Sequence, residues 1–303
     1  MTYLDSAYHR SARQDPKILF PGVKSIIVLG MPYRLTTRQE MQQSNAGVIC
    51  GYAVEEDYHE RIPKMLEPLA ALLQEISPTS TPPRIFTDSA PILERELGAY
   101  AGLGWIGKNS CLINPNLGSA FLLAELFTDV DIEPDAPYET DYCGTCERCI
   151  KACPTSCILL DRTIDANRCI SYHSIENRGE IPGEIMGKFS NQVFGCDICQ
   201  TVCPWNRFSL LESDSNKHEN LIPVEEMNQL LHLNQQEFND MYGKTPVARV
   251  RRVGFIRNVL IAKYHLQSAQ TDNGERGVQQ MPKIESDPVL EKTLHWINTR
   301  EKS

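Results

Sequence analysis

Two runs of cysteines carry the residue types and the spacing in this chain that could do chemistry. They are Cys143-x2-Cys146-x2-Cys149-x3-Cys153-Pro154 and Cys196-x2-Cys199-x3-Cys203-Pro204. Thiolates spaced this closely on a tight loop can converge on one cuboidal iron–sulfur cluster. The repeated ending C-x2-C-x3-C-P is the pattern of a bacterial two-cluster ferredoxin core, in which the last Cys of each run binds the other cluster. The sequence therefore predicts a protein that carries single electrons.

The ligand count leaves one place open. Each [4Fe–4S] cluster takes four thiolates, and the two runs supply seven. Cys169, which lies between the runs, is the predicted eighth ligand, and Cys157 is its competitor. The crossover assigns Cys143, Cys146, Cys149 and Cys203 to the first cluster and Cys153, Cys169, Cys196 and Cys199 to the second. A structural zinc site is the alternative, but such sites rarely combine three cysteines spaced two apart with a fourth before proline.

The composition is that of a globular protein. The chain has 303 residues, 41% of them hydrophobic and 23% charged, enough for one large or two modest domains. No apolar run approaches the roughly 20 residues that span a bilayer, and the first residues show no signal peptide, so we expect a cytoplasmic protein. The 11 cysteines are then better interpreted as metal ligands than as disulfides. A net charge of −9 argues against a broad nucleic-acid-coating surface but not against a local basic patch.

Hydrophobic periodicity indicates which elements must position these residues. Strands are expected at 23–30, 84–88 and 121–127, and helices at 58–76 and 91–100. Their alternation favours an α/β or α+β domain, and Ser89 is the predicted N-cap of the second helix. We place this domain at 1–135, a loop-rich ferredoxin-like domain with both clusters at 136–215, and a helical region at 216–303.

Four ordered stretches extend the cysteine pattern. They are Phe86–Arg95 (FTDSAPILER), Ala101–Asn109 (AGLGWIGKN), Cys169–Tyr172 (CISY) and Gly195–Asn206 (GCDICQTVCPWN). Together they resemble the epoxyqueuosine reductase family, which are iron–sulfur and cobalamin enzymes of tRNA modification, from about residue 1 to 265. The resemblance implies a cobalamin-binding N-terminal domain, a C-terminal HEAT-like helical region, and Cys169 as the eighth ligand. Against that family the chain is expected to be short at both ends.

The resemblance also implies a reaction. An epoxide on the modified guanine at the tRNA wobble position, in tRNAs with GUN anticodons, would be reduced to the cyclopentene of queuosine with loss of water. Asp88 matches the family's proposed general acid. Independently, the departing oxygen needs a proton, and a carboxylic acid beside an apolar corrin would have a raised pKa. The alternative is that Asp88 only caps the following helix.

A cobalamin site is implied as well, close to the clusters. The expected contacts are Arg13, Lys108, Asn109, Ser171, Tyr172, Asp197 and Gln200. The glycine-rich turn at 104–109 would let the main chain approach a large flat ligand. Because the chain has no Asp-x-His-x-x-Gly run, we expect base-off cobalamin without a protein histidine ligand. His59 follows Asp57-Tyr58 as in the family, but a lone histidine is more often a hydrogen-bonded structural residue.

A basic stretch is the candidate tRNA surface. Residues 244–263 hold Lys244, Arg249, Arg251, Arg252, Arg257 and Lys263 and no Asp or Glu. Such a patch suits a phosphate backbone, whereas the alternative is a solvated helix face with Arg stems packed on apolar neighbours. The expected partners are tRNA and an external one-electron donor such as flavodoxin or ferredoxin, and the chain is expected to be a monomer.

Two other functions fit part of the pattern. A reductive dehalogenase-like enzyme would share the cobalamin and the two clusters but act on organohalides, and such enzymes usually carry an export signal. A ferredoxin-type electron carrier would have no substrate of its own. The long segment before the first cluster cysteine argues against the carrier. Cobalamin binding separates the carrier from the two enzymes, and activity on tRNA separates the enzymes from each other.

Overall fold

The computed structural model describes residues 4–37, 45–77, 81–207, 220–269 and 285–300. Its strands are β1 (Ser25–Pro32), β2 (Ala46–Ile49), β3 (Arg84–Phe86), β4 (Trp105–Ile106), β5 (Leu112–Ile113), β6 (Phe121–Thr128), β7 (Gln192–Phe194) and β8 (Leu221–Pro223). Its α-helices are α1 (Ala7–Gln14), α2 (Tyr58–Ile76), α3 (Glu94–Tyr100), α4 (Arg148–Ala152), α5 (Ile170–Ile175), α6 (Gly183–Met186), α7 (Ile198–Thr201), α8 (Val224–Leu230), α9 (Gln235–Tyr242), α10 (Arg251–Ala269) and α11 (Pro288–Arg300). The fold is therefore mixed α/β.

The first sheet is antiparallel and has the strand order β1-β6-β3. Its central strand β6 is almost continuously apolar, as expected for a strand covered on both faces. Leu126 of β6 pairs with Ile27 on one side and with Ile85 on the other. Helix α1 packs on this sheet through Ala12, which joins a buried cluster with Phe127. The antiparallel pairing places the domain on the α+β side of the predicted class.

The predicted elements of this region are largely confirmed. Strands β1, β3 and β6 and helix α2 lie where periodicity placed them, and Pro63 and Pro68 sit inside α2 without ending it. The prediction that Ser89 caps the next helix is wrong, because α3 begins only at Glu94. The Ser89 hydroxyl instead accepts the Thr87 N–H at 3.4 Å. The residues after β3 therefore form a separate turn, and among the described residues no side chain caps the start of α3.

The second sheet joins distant parts of the chain. Its order is β7-β2-β8, with β2 parallel to β7 and antiparallel to β8. Each strand comes from a different one of the three predicted segments, so the segments interleave at this sheet. The division at 1–135, 136–215 and 216–303 stays a prediction, as does the HEAT-like character of the last segment.

The largest apolar core lies against the second sheet. Val193 and Phe194 of β7 pack there with Met227 of α8, Phe255 of α10 and Leu290 of α11. The helices predicted after about residue 220 are confirmed as α8 to α11. Across the described ranges, no helix combines the length and apolarity needed to cross a membrane.

Candidate active site

Two adjoining cavities, here together called the two-chambered cavity, lie where the start of α2, the turn after β3, α5 and the end of β7 meet. The large chamber measures about 710 Å³ and the small chamber about 230 Å³. Tyr58 and Asp88 line both of them. The large chamber also has Cys169 in its wall. A predicted acid and a predicted cluster ligand therefore face one space.

Asp88 occupies the turn between β3 and α3 in an unusual backbone conformation. Its φ is +48°, in the left-handed region that Asp enters more readily than most residues. Its main-chain N–H donates to Glu94 Oε1 at 2.6 Å. This conformation leaves the side chain 71% exposed toward the cavity, which suits a group that meets a substrate rather than one that caps a helix.

Two side chains at the start of α2 flank the Asp88 carboxylate. The Tyr58 hydroxyl donates to Asp88 Oδ2 at 3.0 Å, and burial followed by the Asp88 charge raises the pKa of Tyr58. His59 Nε2 lies 3.9 Å from the same oxygen, while its Nδ1 is 2.7 Å from Asp57 Oδ1. Tyr58 therefore stays a donor, and His59 is oriented by Asp57, which also caps α2 through the His59 N–H.

Sequence reasoning did not assign roles to three residues of this site. From the sequence, Tyr58 was interpreted only as the first residue of a helix beside His59. Glu94 was named only as part of the stretch Phe86–Arg95. Glu125 could have been recognised from the sequence, because a carboxylate inside the apolar run of β6 is costly to bury without a partner. Glu125 is fully buried, and its carboxyl lies next to that of Glu94.

The cysteines predicted for the first cluster are brought together. Burial, followed by the thiols of Cys143, Cys149 and Cys146, raises the pKa of Cys203. Lys108 supports this loop, because its ammonium donates to the carbonyls of Gly144 and Cys146 at 2.7 and 2.9 Å. Cys203 therefore neighbours the first run, as the predicted crossover requires.

The cysteines predicted for the second cluster also neighbour one another. Burial and the charges of Cys169 and Cys153 act on Cys196, whose pKa rises despite a main-chain hydrogen bond. Burial, followed by the charges of neighbours that include Cys196 and Cys169, raises the pKa of Cys199. Among the described residues, no three His, Cys, Asp or Glu side chains enclose a space suited to a single metal ion.

Cys157 lies beside two of these ligands. Its sulfur is 3.4 Å from Cys153 Sγ, and its N–H points to the same sulfur. Hydrogen bonding by Cys157 lowers the pKa of Cys153 to about 4 and that of Cys169 to about 7, while the pKa of Cys157 itself is raised. Cys157 therefore donates its main-chain N–H to Cys153 Sγ and places its own sulfur in contact with it.

The residues predicted to contact cobalamin fall into two groups. Ser171 and Tyr172 line the large chamber, and Gln200 lines the small one. The others, Arg13, Lys108, Asn109 and Asp197, do not belong to either wall. Arg13 donates to the Leu4 carbonyl, and Leu4 does line the large chamber.

Two buried polar atoms near the cavity lack partners. Asp197 Oδ2 and Asn109 Nδ2 make no hydrogen bond within the described part of the chain. Burial raises the pKa of Asp197 to about 6, and its other oxygen accepts from Gln200 at 3.2 Å. The turn at 104–109 does not offer its glycines to the cavity, because a Cβ on Gly104 would collide with the Ile113 carbonyl. Its glycines therefore serve the β4–β5 hairpin.

The basic stretch is only partly a surface. Lys244, Arg249 and Arg251 are exposed, and Arg249 and Arg251 line the large chamber. The prediction that Arg257 binds tRNA is wrong, because its guanidinium is fully buried and donates to the carbonyls of His173, Asn177 and Gly179.

Two further cations of the stretch are engaged inside the fold. Arg252 has a side chain only 14% exposed, paired with Glu285 and donating to the Leu233 carbonyl. Lys263 is buried and donates to Asn228. The candidate nucleic-acid surface is thereby reduced to Lys244, Arg249 and Arg251.

Replacement of Arg257 by alanine is expected to lower the free energy of unfolding by at least about 3 kcal/mol, because three buried carbonyls lose their donor at roughly 1–3 kcal/mol each. Urea unfolding measures this as a lower midpoint at an unchanged slope. The control Lys292→Ala, an exposed side chain paired with Glu180, should change stability by less than about 0.5 kcal/mol. An Arg257 variant of normal stability with weakened tRNA binding would restore the nucleic-acid role.

Comparisons with known proteins show which family the sequence resembles. A family model described as "4Fe-4S double cluster binding domain" matches residues 142–206, and one described as "Epoxyqueuosine reductase QueG, DUF1730" matches residues 13–89. The chain is 43% identical over 267 residues to an epoxyqueuosine reductase of Cyclobacterium marinum, covering 87% of this chain and 83% of the relative.

Two solved structures are similar as well. A crystal structure of epoxyqueuosine reductase with an epoxyqueuosine-modified tRNA-Tyr stem loop has a TM-score of 0.78 and 28% identity over 93% of this chain and 74% of that one. An epoxyqueuosine reductase from Bacillus subtilis, with its aspartate catalytic loop swung out of the active site, has a TM-score of 0.76 and 26% identity over 98% of this chain and 78% of that one.

Proposed function

Because this chain belongs to the epoxyqueuosine reductase family, we propose that it reduces epoxyqueuosine in tRNA to queuosine with the residues of the two-chambered cavity. The reduction consumes a pair of electrons and a pair of protons and releases the epoxide oxygen as water. The observation that carries the proposal is the shared space of Asp88 and Cys169, since it joins a proton donor to an electron source.

Asp88 is the group that would protonate the departing oxygen. Its carboxyl reaches the cavity from a fixed turn, and the Tyr58 hydroxyl and His59 imidazole lie at 3.0 and 3.9 Å from Oδ2. A positioned general acid typically contributes about 10²–10⁴-fold to such a step. Tyr58 orients the carboxyl, while His59, held by Asp57, adds a polar group beside the leaving oxygen.

Electrons would enter through the cysteine region. The first cluster, held by Cys143, Cys146, Cys149 and Cys203, has half-buried ligands that suit contact with an external one-electron donor such as flavodoxin or ferredoxin. The second cluster, held by Cys153, Cys169, Cys196 and Cys199, reaches the cavity wall at Cys169. The crossover ligand Cys203 fixes the two clusters relative to each other.

The cavity residues fit a corrin. The large chamber is lined by the rings of Tyr52, Tyr58, Tyr172 and Phe194, which offer flat apolar walls. Ser171 in the large chamber and Gln200 in the small one would offer hydrogen bonds to amide side chains of the ligand. Cobalamin, when bound, supplies a low-valent cobalt able to reduce the epoxide carbon.

Because the proposed substrate is a tRNA, we place the protein's activity in the cytoplasm. We also expect a monomer to be sufficient for activity. The experiment is anaerobic reconstitution with iron, sulfide and cobalamin, followed by incubation with epoxyqueuosine-containing tRNA and a reductant. The expected result is a nucleoside lighter by one oxygen in mass spectrometry. A preparation with both clusters and a corrin that leaves the epoxide intact would contradict the proposal, and reduction of an organohalide instead would favour the dehalogenase alternative.

The charges at the cavity rim should govern tRNA affinity. The double change of Lys244→Gln and Arg251→Asn is expected to weaken tRNA binding about 10-fold or more at low salt. The slope of log K against log salt concentration should become shallower by roughly 0.7–0.9 for each phosphate that is no longer neutralised. Both replacements remove the positive charge and keep a polar side chain. Binding of a tRNA stem loop at several salt concentrations gives the slope, with Lys292→Gln as the matched control. An unchanged slope would remove the rim from the tRNA interface.

A further inference from the structure

A pair of carboxyl groups lies behind the Asp88 turn. Glu125 is fully buried in β6, opposite Phe86, the last residue of β3. Its carboxyl neighbours the Glu94 carboxyl, and within the described ranges neither Glu125 oxygen accepts a hydrogen bond from an N–H or hydroxyl donor. Glu94 is the first residue of α3. The pair thus connects the central strand to the turn that carries Asp88.

Two buried carboxyls in contact cannot both be ionised, because each charge disfavours the other. Burial raises the pKa of Glu125 to about 9, and burial raises that of Glu94 to about 7. Between these values the pair keeps one proton. Glu125, the more deeply buried partner, holds it, and Glu94 remains a carboxylate that faces the turn.

The Glu94 carboxylate has a specific task in this geometry. Its Oε1 accepts the main-chain N–H of Asp88 at 2.6 Å. A non-glycine residue in the left-handed region costs of order 1–3 kcal/mol and persists only when its surroundings hold it there. A charge-assisted hydrogen bond is strong enough to supply that hold.

We propose that Glu94 and Glu125, sharing one proton, form a latch that holds the Asp88 turn in its left-handed conformation with the Asp88 carboxyl facing the cavity. Glu94 is then a positioning residue, because it acts on the main chain of Asp88 and not on the substrate. The inference rests on Asp88 being the general acid proposed above. It assigns the buried carboxylate of β6 a role that the reaction chemistry alone does not give it.

The surroundings of the pair determine how the latch responds to pH. Glu94 faces Asp88, Glu125 and the guanidinium of Arg95, and it also acts on Tyr58. The Asp88 N–H and the Arg95 charge favour the ionised form of Glu94, while the Asp88 charge opposes it. Loss of the shared proton places two adjacent negative charges behind the turn, so the latch should open as the pH rises past about 9.

Hydrogen exchange of the Asp88 amide tests the latch without relying on turnover. In the reconstituted protein, Glu94→Ala should lower the protection of this amide at least about 10-fold, which corresponds to one missing hydrogen bond. Glu94→Gln keeps an acceptor oxygen and should stay within about 3-fold of the unmodified chain. The matched control is Glu96→Ala, a carboxylate on the same helix that does not accept the Asp88 N–H. Unchanged protection in Glu94→Ala, or equal losses in Glu94→Ala and Glu94→Gln, would overturn the latch.

The pH dependence tests the shared proton. Protection of the Asp88 amide, corrected for the intrinsic exchange rate, should fall above pH about 9 in the unmodified chain and stay level in Glu125→Gln, whose amide replaces the proton donor. An equal fall in both would overturn the shared proton. If Glu125→Gln fails to fold, the Glu94 variants still decide the latch.

Turnover separates this inference from the proposed function. Glu94→Ala should lower kcat about 10- to 100-fold with little change in KM, because the acid is misplaced and substrate binding is kept. If Asp88→Asn turns over normally while Glu94→Ala still loses protection, the acid role fails and the latch stands. If Asp88→Asn is inactive while Glu94→Ala keeps both protection and kcat, the latch fails and the proposed function stands.

Discussion

Asp88→Asn is expected to lower kcat by about 10²–10⁴-fold while both clusters, cobalamin binding and tRNA affinity stay unchanged. The asparagine preserves the size of the side chain and tolerates the left-handed backbone, and its amide can still pair with Tyr58. What it lacks is a proton to give to the departing oxygen. The loss should therefore appear in the chemical step and leave the assembly of the site intact.

Single-turnover reduction of an epoxyqueuosine stem loop, with pre-reduced protein, measures that step directly. The visible spectrum of the clusters and the corrin gives the occupancy of each variant. Asp131→Asn, an exposed carboxylate beyond β6, is the matched control and should react at the normal rate. Normal turnover by Asp88→Asn would show that the proton comes from elsewhere and would reduce Asp88 to a residue of the turn.

Cys169→Ser is expected to remove the second cluster, which would halve the iron and sulfide content and lower turnover by at least about 100-fold. The hydroxyl of serine is a poor substitute for a soft thiolate ligand. Because Cys169, the proposed second-cluster ligand, lies in the cavity wall, its loss should also interrupt electron delivery to the substrate. Iron and sulfide analysis and the electron paramagnetic resonance of the reduced protein report the clusters one by one.

Cys157→Ser is the matched comparison for that experiment. Its sulfur lies 3.4 Å from Cys153 Sγ, close enough to compete for the eighth place. We expect both clusters to remain in this variant, because Cys157 donates hydrogen bonds to the ligands and serine can donate in its place. The reverse result, with the second cluster lost in Cys157→Ser and kept in Cys169→Ser, would exchange the two assignments.

Local patterns were sufficient to propose the chemistry-bearing residues. The two cysteine runs were predicted from spacing, because loops of two or three residues between ligands fix the geometry almost independently of the rest of the fold, whereas Cys169 depended on the family resemblance. Asp88 followed from a contiguous family-like stretch. Helix α2 followed from its apolar period, and its interior prolines did not change its length.

Residues whose roles depend on distant neighbours could not be placed in this way. Arg257 counted as part of a basic surface, yet it is enclosed by carbonyls some 80 positions earlier in the chain. Lys108 was expected at the cavity and instead holds the loop of the first cluster. A partial signal existed for Arg257, since the neighbouring pairs Phe255–Ile256 and Val259–Leu260 are apolar and buried. A helix apolar on nearly all faces is a buried helix.

The short strands of the second sheet were likewise beyond local reasoning. β2 has four residues and β7 and β8 have three each, too few for a period to be recognised. Their pairing depends on partners far away in the sequence. The same holds for Glu94 and Glu125, whose carboxyls meet only after α3 has packed on β6.

The pairing of β2 with β7 and β8 also constrains the order of events during synthesis. Ile49 can pair only after Phe194 has been synthesised, and Gly47 only after Ile222. At least one edge of β2 therefore stays unpaired and open to other chains until residue 223 has left the ribosome. Contacts of such sequence separation close slowly. Tyr52 and Phe194, which lie at the ends of these strands in the cavity wall, would reach their places only in the last stage of folding. Nascent chains should accordingly be most prone to aggregation just before that point.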